Sequence, residues 1–283
     1  MSTTNRVIDE GAESIVTLIT LSDSTSTVTK TRKPQGKTHY LFEAFSYQSV
    51  AELGSHVPVV IHVSENQLTM SAFTGETIDD QTDLYDDKAI FDQIAKDLAL
   101  NRRIIFEGYG RPLLKDGVYS GVYSNWADFL NLTYNKLKNS HLFSQIQKES
   151  LVSKWNEMIS NIKPGPGALV HGDFALSAIF THNSKYEGII DYGDAFIGDP
   201  LLDLAYFRFK EITKDYGYYL YNMLANSYSN YSNIDREYID YATTFYMMYW
   251  AIERVHTDNL ENSIIVKFIE KTQVLIDQFN STT

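Results

Sequence analysis

The stretch that most restricts how this chain can fold is residues 168–203, ALVHGDFALSAIFTHNSKYEGIIDYGDAFIGDPLLD. A short apolar run, ALV, delivers His171-Gly172-Asp173 into a loop. The runs AIF and GIID are apolar enough to be paired strands, and the polar THNSK between them reads as a turn. Such a hairpin returns the chain on itself, so Asp191 can lie near Asp173 although 18 residues separate them. Asp199-Pro200 follows as a helix start, with Asp at the N-cap and Pro at the first helical position.

The rest of the chain must provide a frame for that hairpin. SIVTLITL (14–21) and STVTK (26–30) are rich in β-branched residues and flank a polar turn. Residues 37–56 read as a helix, with Leu41, Phe45, Val50 and Leu53 at roughly helical spacing and Gly54 as its stop. VPVVIHV (57–63) and QLTMSAF (67–73) are two more expected strands. The first third is therefore β-β-α-β-β, with Gly11 near its start. Helical periodicity dominates the remainder, at 86–100, 126–140, 149–162, 201–212, 235–255 and 263–279, with 168–191 as the one β interruption. The composition changes near Gly75, which divides the chain into an expected β-rich lobe, 1–74, and a larger helical lobe, 75–283.

At 283 residues and 43% hydrophobic, the chain can bury the core such an arrangement needs. Its 24 Lys+Arg against 36 Asp+Glu give a formal charge of -12, which disfavours nucleic acid as a partner and is compatible with a cationic small substrate. No cysteine is present, so disulfides, thiolate metal sites and cysteine nucleophiles are excluded. The N-terminal segment lacks a basic start followed by a clean apolar run, and no run approaches a membrane span; a soluble, cytoplasmic protein is expected. Neither a G-x-S-x-G elbow nor a full Walker A sequence occurs, so hydrolase and P-loop chemistry fit poorly. The histidines other than His171 show no metal-ligand spacing.

Two carboxylates converging at strand ends suit phosphoryl transfer. One can accept or orient the proton of an attacking hydroxyl, and the other can hold magnesium on nucleotide phosphates. His171 is expected to hold its loop by hydrogen-bonding backbone. HGD with its strand pair, then IDYGDAFIGDPLLDLA, resembles the aminoglycoside phosphotransferase and choline kinase-like family of small-molecule kinases. FEGYGRPLLKDGVYSGVYSNWADFL (106–130) is similar to another segment of that family.

The resemblance implies an α+β, bilobal protein-kinase-like fold and an ATP- or GTP-dependent kinase using Mg²⁺. It implies Asp173 as the catalytic aspartate and Asp191 as the metal ligand. Lys30 then contacts the α/β phosphates and Glu43 pairs with it. Met70, Ser71 and Phe73 fall in the hinge strand whose backbone would bind the base, and Gly11 falls where a phosphate-covering loop should be. Asp194 could face the acceptor, and Glu253 could line its cleft. The tyrosines between 206 and 249 read as packing before they read as an aromatic wall.

The departure is Ala178, where the family carries a metal-binding Asn. Ser177 could substitute if the loop shifts, although alternation along a strand would point it to the opposite face. Three readings stay open: an active kinase with one fewer ligand, a kinase with a displaced ligand, or a nucleotide-binding pseudokinase. The acceptor, within a range of small molecules in which aminoglycosides and other amines are favoured, is not legible, and neither is the oligomeric state.

Overall fold

The computed structural model describes residues 4–139 except 12, 23 and 24, residues 165–214 and 219–240, and isolated positions between 149 and 157 and from 242 onwards. The chain opens with an antiparallel sheet of β1 (Thr4–Glu10), β2 (Ser14–Thr20), β3 (Ser26–Arg32), β4 (Val60–Val63) and β5 (Gln67–Ser71), in the order β1-β2-β3-β5-β4. Helix α1 (Tyr40–Glu52) lies between β3 and β4 in sequence. The four expected strands and the helix are all present. β1 is an addition: every residue of TNRVIDE is exposed, so this edge strand leaves no inward-facing pattern to read.

The face that α1 buries differs from the one its apolar spacing suggested. Leu41 is 40% exposed, whereas Tyr40, Phe42, Glu43, Ala44, Ser46 and Tyr47 are buried. Glu43 and Tyr47 are one turn apart and so share a face. The buried set mixes Glu43 and Ser46 with Tyr40, Phe42, Ala44, Tyr47 and Val50, so apolar spacing finds the helix but does not mark Glu43 as an inward position. The chain leaves α1 through Gly54, at φ +94°, a left-handed position that glycine fills at no steric cost.

Gly75 marks the exit from the first sheet. A Cβ there would stand 1.8 Å from the Thr181 carbonyl oxygen, so only glycine lets the two backbones approach this closely. Immediately afterwards β6 (Glu76–Thr77) pairs with β11 (Ile179–His182), which forms the expected hairpin with β12 (Lys185–Ile189). Helix α2 (Lys88–Leu100) is capped by the Asp87 carboxylate, which accepts from Ala89 N at 2.9 Å and Ile90 N at 3.2 Å. It buries Ile90, Phe91, Ile94, Ala95 and Leu98.

Asp97 of α2 is also buried, and its Oδ2 accepts from His56 N at 2.8 Å and Tyr186 Oη at 2.9 Å and faces His56 Nδ1 at 2.9 Å. This one carboxylate ties the α1–β4 connection to α2 and β12.

A second five-stranded sheet has the order β7-β10-β13-β8-β9, from β7 (Ile105–Phe106), β8 (Tyr109–Lys115), β9 (Val118–Tyr123), β10 (Gly167–Val170) and β13 (Phe196–Gly198). The β8–β9 hairpin falls in a region read as helical apart from residues 168–191. Its tip, Asp116-Gly117, has both residues at positive φ, 51° and 80°, as a two-residue hairpin turn demands. Asp-Gly was in plain sight. The strands around it leave Leu113, Leu114, Val118 and Val122 exposed, so the alternation that normally accompanies such a turn is missing.

Helices α3 (Trp126–Asn139), α4 (Leu201–Lys214) and α5 (Tyr219–Tyr228) complete the described elements. α4 starts as expected, with Asp199 Oδ1 accepting from Leu201 N at 2.9 Å. Nearly all of the expected helices at 149–162 and 263–279, and residues 244–255 with Glu253, lie outside the described residues. No helix among the described residues is long and apolar enough to cross a membrane.

Candidate active site

Lys30 projects from β3, and its Nζ is 2.5 Å from Glu43 Oε1 and 2.5 Å from Asp191 Oδ1. Three residues spread over 161 positions of sequence therefore meet at one ammonium group. Burial alone would lower the Lys30 pKa; the charges of Asp191 and Glu43 more than reverse that and hold it well above the ordinary lysine value. Burial raises the Glu43 pKa, with Lys30 opposing. Lys30 holds the Asp191 carboxylate below its ordinary value, against burial. Asp191 is thus a stable anion, and its side chain is 52% exposed, so it can reach a ligand.

The backbone at Asp191 is itself unusual. Its φ of +71° is left-handed, a region that Asp and Asn tolerate better than most residues. Its N–H donates to Tyr47 Oη at 2.7 Å, so the buried tyrosine of α1 fixes the peptide that aims the carboxylate.

The loop carrying Asp173 is held from two sides. His171 Nε2 lies 2.8 Å from the Ile190 carbonyl oxygen, which is the backbone-bonding role expected of it. Asp203 of α4, fully buried, accepts from His171 N at 2.9 Å and Gly172 N at 3.0 Å. Gly172 has φ +89°, and a Cβ there would meet the Asp194 carbonyl oxygen at 2.2 Å. The loop and the segment 191–194 are therefore in backbone contact. Asp203→Ala would strand two N–H groups, at about 1–3 kcal/mol each. We expect an equilibrium-denaturation loss of about 3 kcal/mol or more; a loss within ordinary surface scatter would show that the clamp carries no stability.

Asp173 is partly exposed, and Lys210 Nζ of α4 stands 4.0 Å from its Oδ1. Burial raises the Asp194 pKa, followed by the charges of Asp173, Asp191 and Glu13. These carboxylates are thus close enough to feel one another. Lys210, Asp203, Tyr47 and Asp97 were not singled out from sequence. Nothing in a single chain pairs a helix residue with a loop thirty positions away.

Residues 176–178 form a 3₁₀ turn, not the start of a strand, so strand alternation does not govern Ser177. Ser177 is exposed. Ala178 is buried, and its carbonyl oxygen accepts from Ile190 N at 2.8 Å, beside Asp191. Its methyl group offers no donor to a metal.

The expected base-binding backbone needs a correction. Met70 pairs with Val28 and Val60 inside the sheet, Ser71 N donates to Val59 O at 2.9 Å, and Ala72 N donates to Ser26 O at 3.0 Å. The Glu187 carboxylate takes the N–H groups of Thr74 and Gly75. Of these backbone N–H groups, that of Phe73 is the one not engaged by the contacts above, and the Met70 side chain is buried. Gly11 does lie in the β1–β2 connection. A Cβ there would find nothing closer than 3.8 Å, so its space does not require glycine.

Among the described residues no group of three or more His, Asp or Glu could hold a metal unaided. The charged, half-exposed Asp191 nevertheless fits Mg²⁺ brought in on nucleotide phosphates, because that ion fills its remaining positions with water and phosphate oxygen.

The family model described as the phosphotransferase enzyme family matches residues 4–238. No curated protein sequence matches the chain. Among solved structures it is similar to a thermostable mutant of aminoglycoside phosphotransferase APH(4)-Ia. The TM-score is 0.73 at 16% identity, covering 97% of this chain and 94% of that one. A putative fructosamine-3-kinase from Thermobifida fusca gives 0.68 at 14% identity, covering 98% and 94%. The amicoumacin kinase hAmiN, solved with AMP-PNP, Ca²⁺ and Ami, gives 0.66 at 12% identity, covering 97% and 88%. At these identities the likeness is one of fold: a bilobal, protein-kinase-like α+β structure with a β-rich first lobe.

Proposed function

Because this chain belongs to the phosphotransferase enzyme family, we propose that it moves the γ-phosphate of ATP or GTP to a hydroxyl of a small molecule in the cytoplasm. The observation that carries this reading is the Lys30 ammonium held between Glu43 and Asp191. In this reading that arrangement supplies one cation for the α/β phosphates and one anion for their metal ion.

Asp173 serves as the base. The acceptor hydroxyl oxygen forms the new bond to the γ-phosphorus while its proton passes to the Asp173 carboxylate. The bond from phosphorus to the β,γ-bridging oxygen breaks, and its electrons leave with the nucleoside diphosphate. Mg²⁺ on Asp191 would neutralise charge on the β and γ phosphates. Phe73 N–H receives the base, and the β1–β2 connection with Gly11 covers the phosphates. An acceptor bearing amines suits the net charge of -12 and the neighbouring carboxylates Asp173, Asp194 and Glu13.

Ala178 supports a second reading, a nucleotide-binding pseudokinase, because its buried methyl group leaves Asp191 without a partner ligand at that position. γ-Phosphate release from ATP and GTP separates the two. We expect turnover that requires Mg²⁺ or Mn²⁺ and rises with an acceptor from a panel of amines, aminoglycosides and sugars. Nucleotide binding by thermal shift without turnover would establish the pseudokinase instead.

A further inference from the structure

We infer that Lys210 is a catalytic residue of this site, supplying to the transferring phosphoryl group a positive charge that position 178 cannot recruit through a metal. The inference rests on the phosphotransferase reading above and adds a residue that the reading does not need.

The charge balance at the site motivates it. A nucleoside triphosphate brings several negative charges to a place that already holds Asp173, Asp191 and Asp194. Lys30 is engaged with Glu43 and Asp191, at the end of the site where the α/β phosphates would lie. Ala178 provides no donor through which a second metal ion could be held. Among the described residues, Lys210 is the one cation within 4.0 Å of Asp173.

Its placement is fixed by structure. α4 begins at the Asp203 clamp that holds His171 and Gly172, so the same helix sets both the Asp173 loop and Lys210, two turns further on. The ammonium lies 5.4 Å from the centre of the Tyr206 ring, one turn back, which steadies a flexible side chain by cation–π attraction. The Lys210 side chain is 30% exposed and that of Asp173 41%, so both open to a ligand. An ammonium has three donors. From its place 4.0 Å from Asp173 Oδ1, the ammonium would lie beside the γ-phosphate oxygens, over which charge is spread as the phosphoryl group passes to the acceptor. Asp173 alone takes the proton from the hydroxyl.

Lys210→Met, with Lys210→Arg as its charge-retaining control, tests the inference through two readouts. The first is kcat for γ-phosphate transfer, expected to fall roughly a hundredfold in Lys210→Met, as when one preorganised donor is removed, and to be largely kept in Lys210→Arg. The second is calorimetric affinity for Mg·ATP against Mg·ADP. Only ATP carries the phosphate that Lys210 reaches, so the preference for ATP should shrink roughly tenfold in Lys210→Met.

An unchanged preference would overturn the inference whatever happens to kcat, because Lys210 would then act on Asp173 alone. So would wild-type kcat in Lys210→Met. If wild type shows no turnover, the phosphotransferase reading fails by itself, and the ATP-over-ADP preference still decides whether Lys210 meets the γ-phosphate. A folded Lys210→Arg separates loss of charge from loss of packing on Tyr206.

Discussion

Asp191→Asn is expected to abolish measurable γ-phosphate turnover, a loss on the order of a thousandfold or more. The site both stabilises this carboxylate and exposes it. Lys30 keeps it ionised, and half of its surface stays open. An amide in its place cannot neutralise a metal ion, and it also leaves Lys30 with Glu43 as its sole charged partner. Asn is the cleaner substitution than Ala. At φ +71° most residues incur about 1–2 kcal/mol of left-handed strain, which Asn largely avoids through its local hydrogen bonding. The test is turnover against Mg²⁺ and Mn²⁺ concentration, with the melting temperature measured in parallel. A folded Asp191→Asn protein with wild-type rates would sink the metal assignment.

Asp173→Asn is expected to lower kcat by roughly a hundred- to ten-thousandfold while leaving nucleotide affinity nearly unchanged. The split follows from placement. In the proposed reading Asp173, beside Lys210, would meet the acceptor, whereas the cluster of Lys30, Glu43 and Asp191 would meet the nucleotide. The fold should tolerate the change, because the clamp on the loop is made by the backbone of His171 and Gly172 and not by the Asp173 side chain. Single-turnover rates and nucleotide titration on the same sample measure both quantities. An equal fall in both would mark a distorted loop; an unaffected kcat would remove Asp173 from the chemistry.

Much of this site could be read from residues 168–203, because the signals there are local. Apolar runs, a polar turn and Asp-Pro each act within a few positions, and together they place the hairpin and the start of α4. The role of His171 was legible for the same reason, since the hairpin brings Ile190 back beside it. Legibility fails where contact replaces sequence proximity. Tyr47 on Asp191 N, Glu187 on the peptides after Phe73 and Asp203 on the HGD loop span 144, 112 and 31 positions, and periodicity carries no information about such pairs. It fails again where burial is polar. The inward face of α1 carries Glu43 and Ser46 among its apolar residues, so counting apolar residues does not reveal that Glu43 points inward. Ser177 illustrates a third failure: a 3₁₀ turn has a three-residue repeat, and reasoning built on strand alternation does not transfer to it.

The three attachments of α1 bear on how such a protein can be controlled. Glu43 holds the helix to Lys30, Tyr47 holds it to the Asp191 peptide, and just past its end His56 is moored to Asp97. Removing one partner of the buried ion pair would cost about 3–5 kcal/mol. A state with α1 swung outward would give up all three attachments at once. Kinase-like folds that are switched by displacing this helix need that state to lie within easy reach. Here the helix is fastened at its middle and beyond its end. If the proposed activity holds, displacing α1 would have to break all three attachments together.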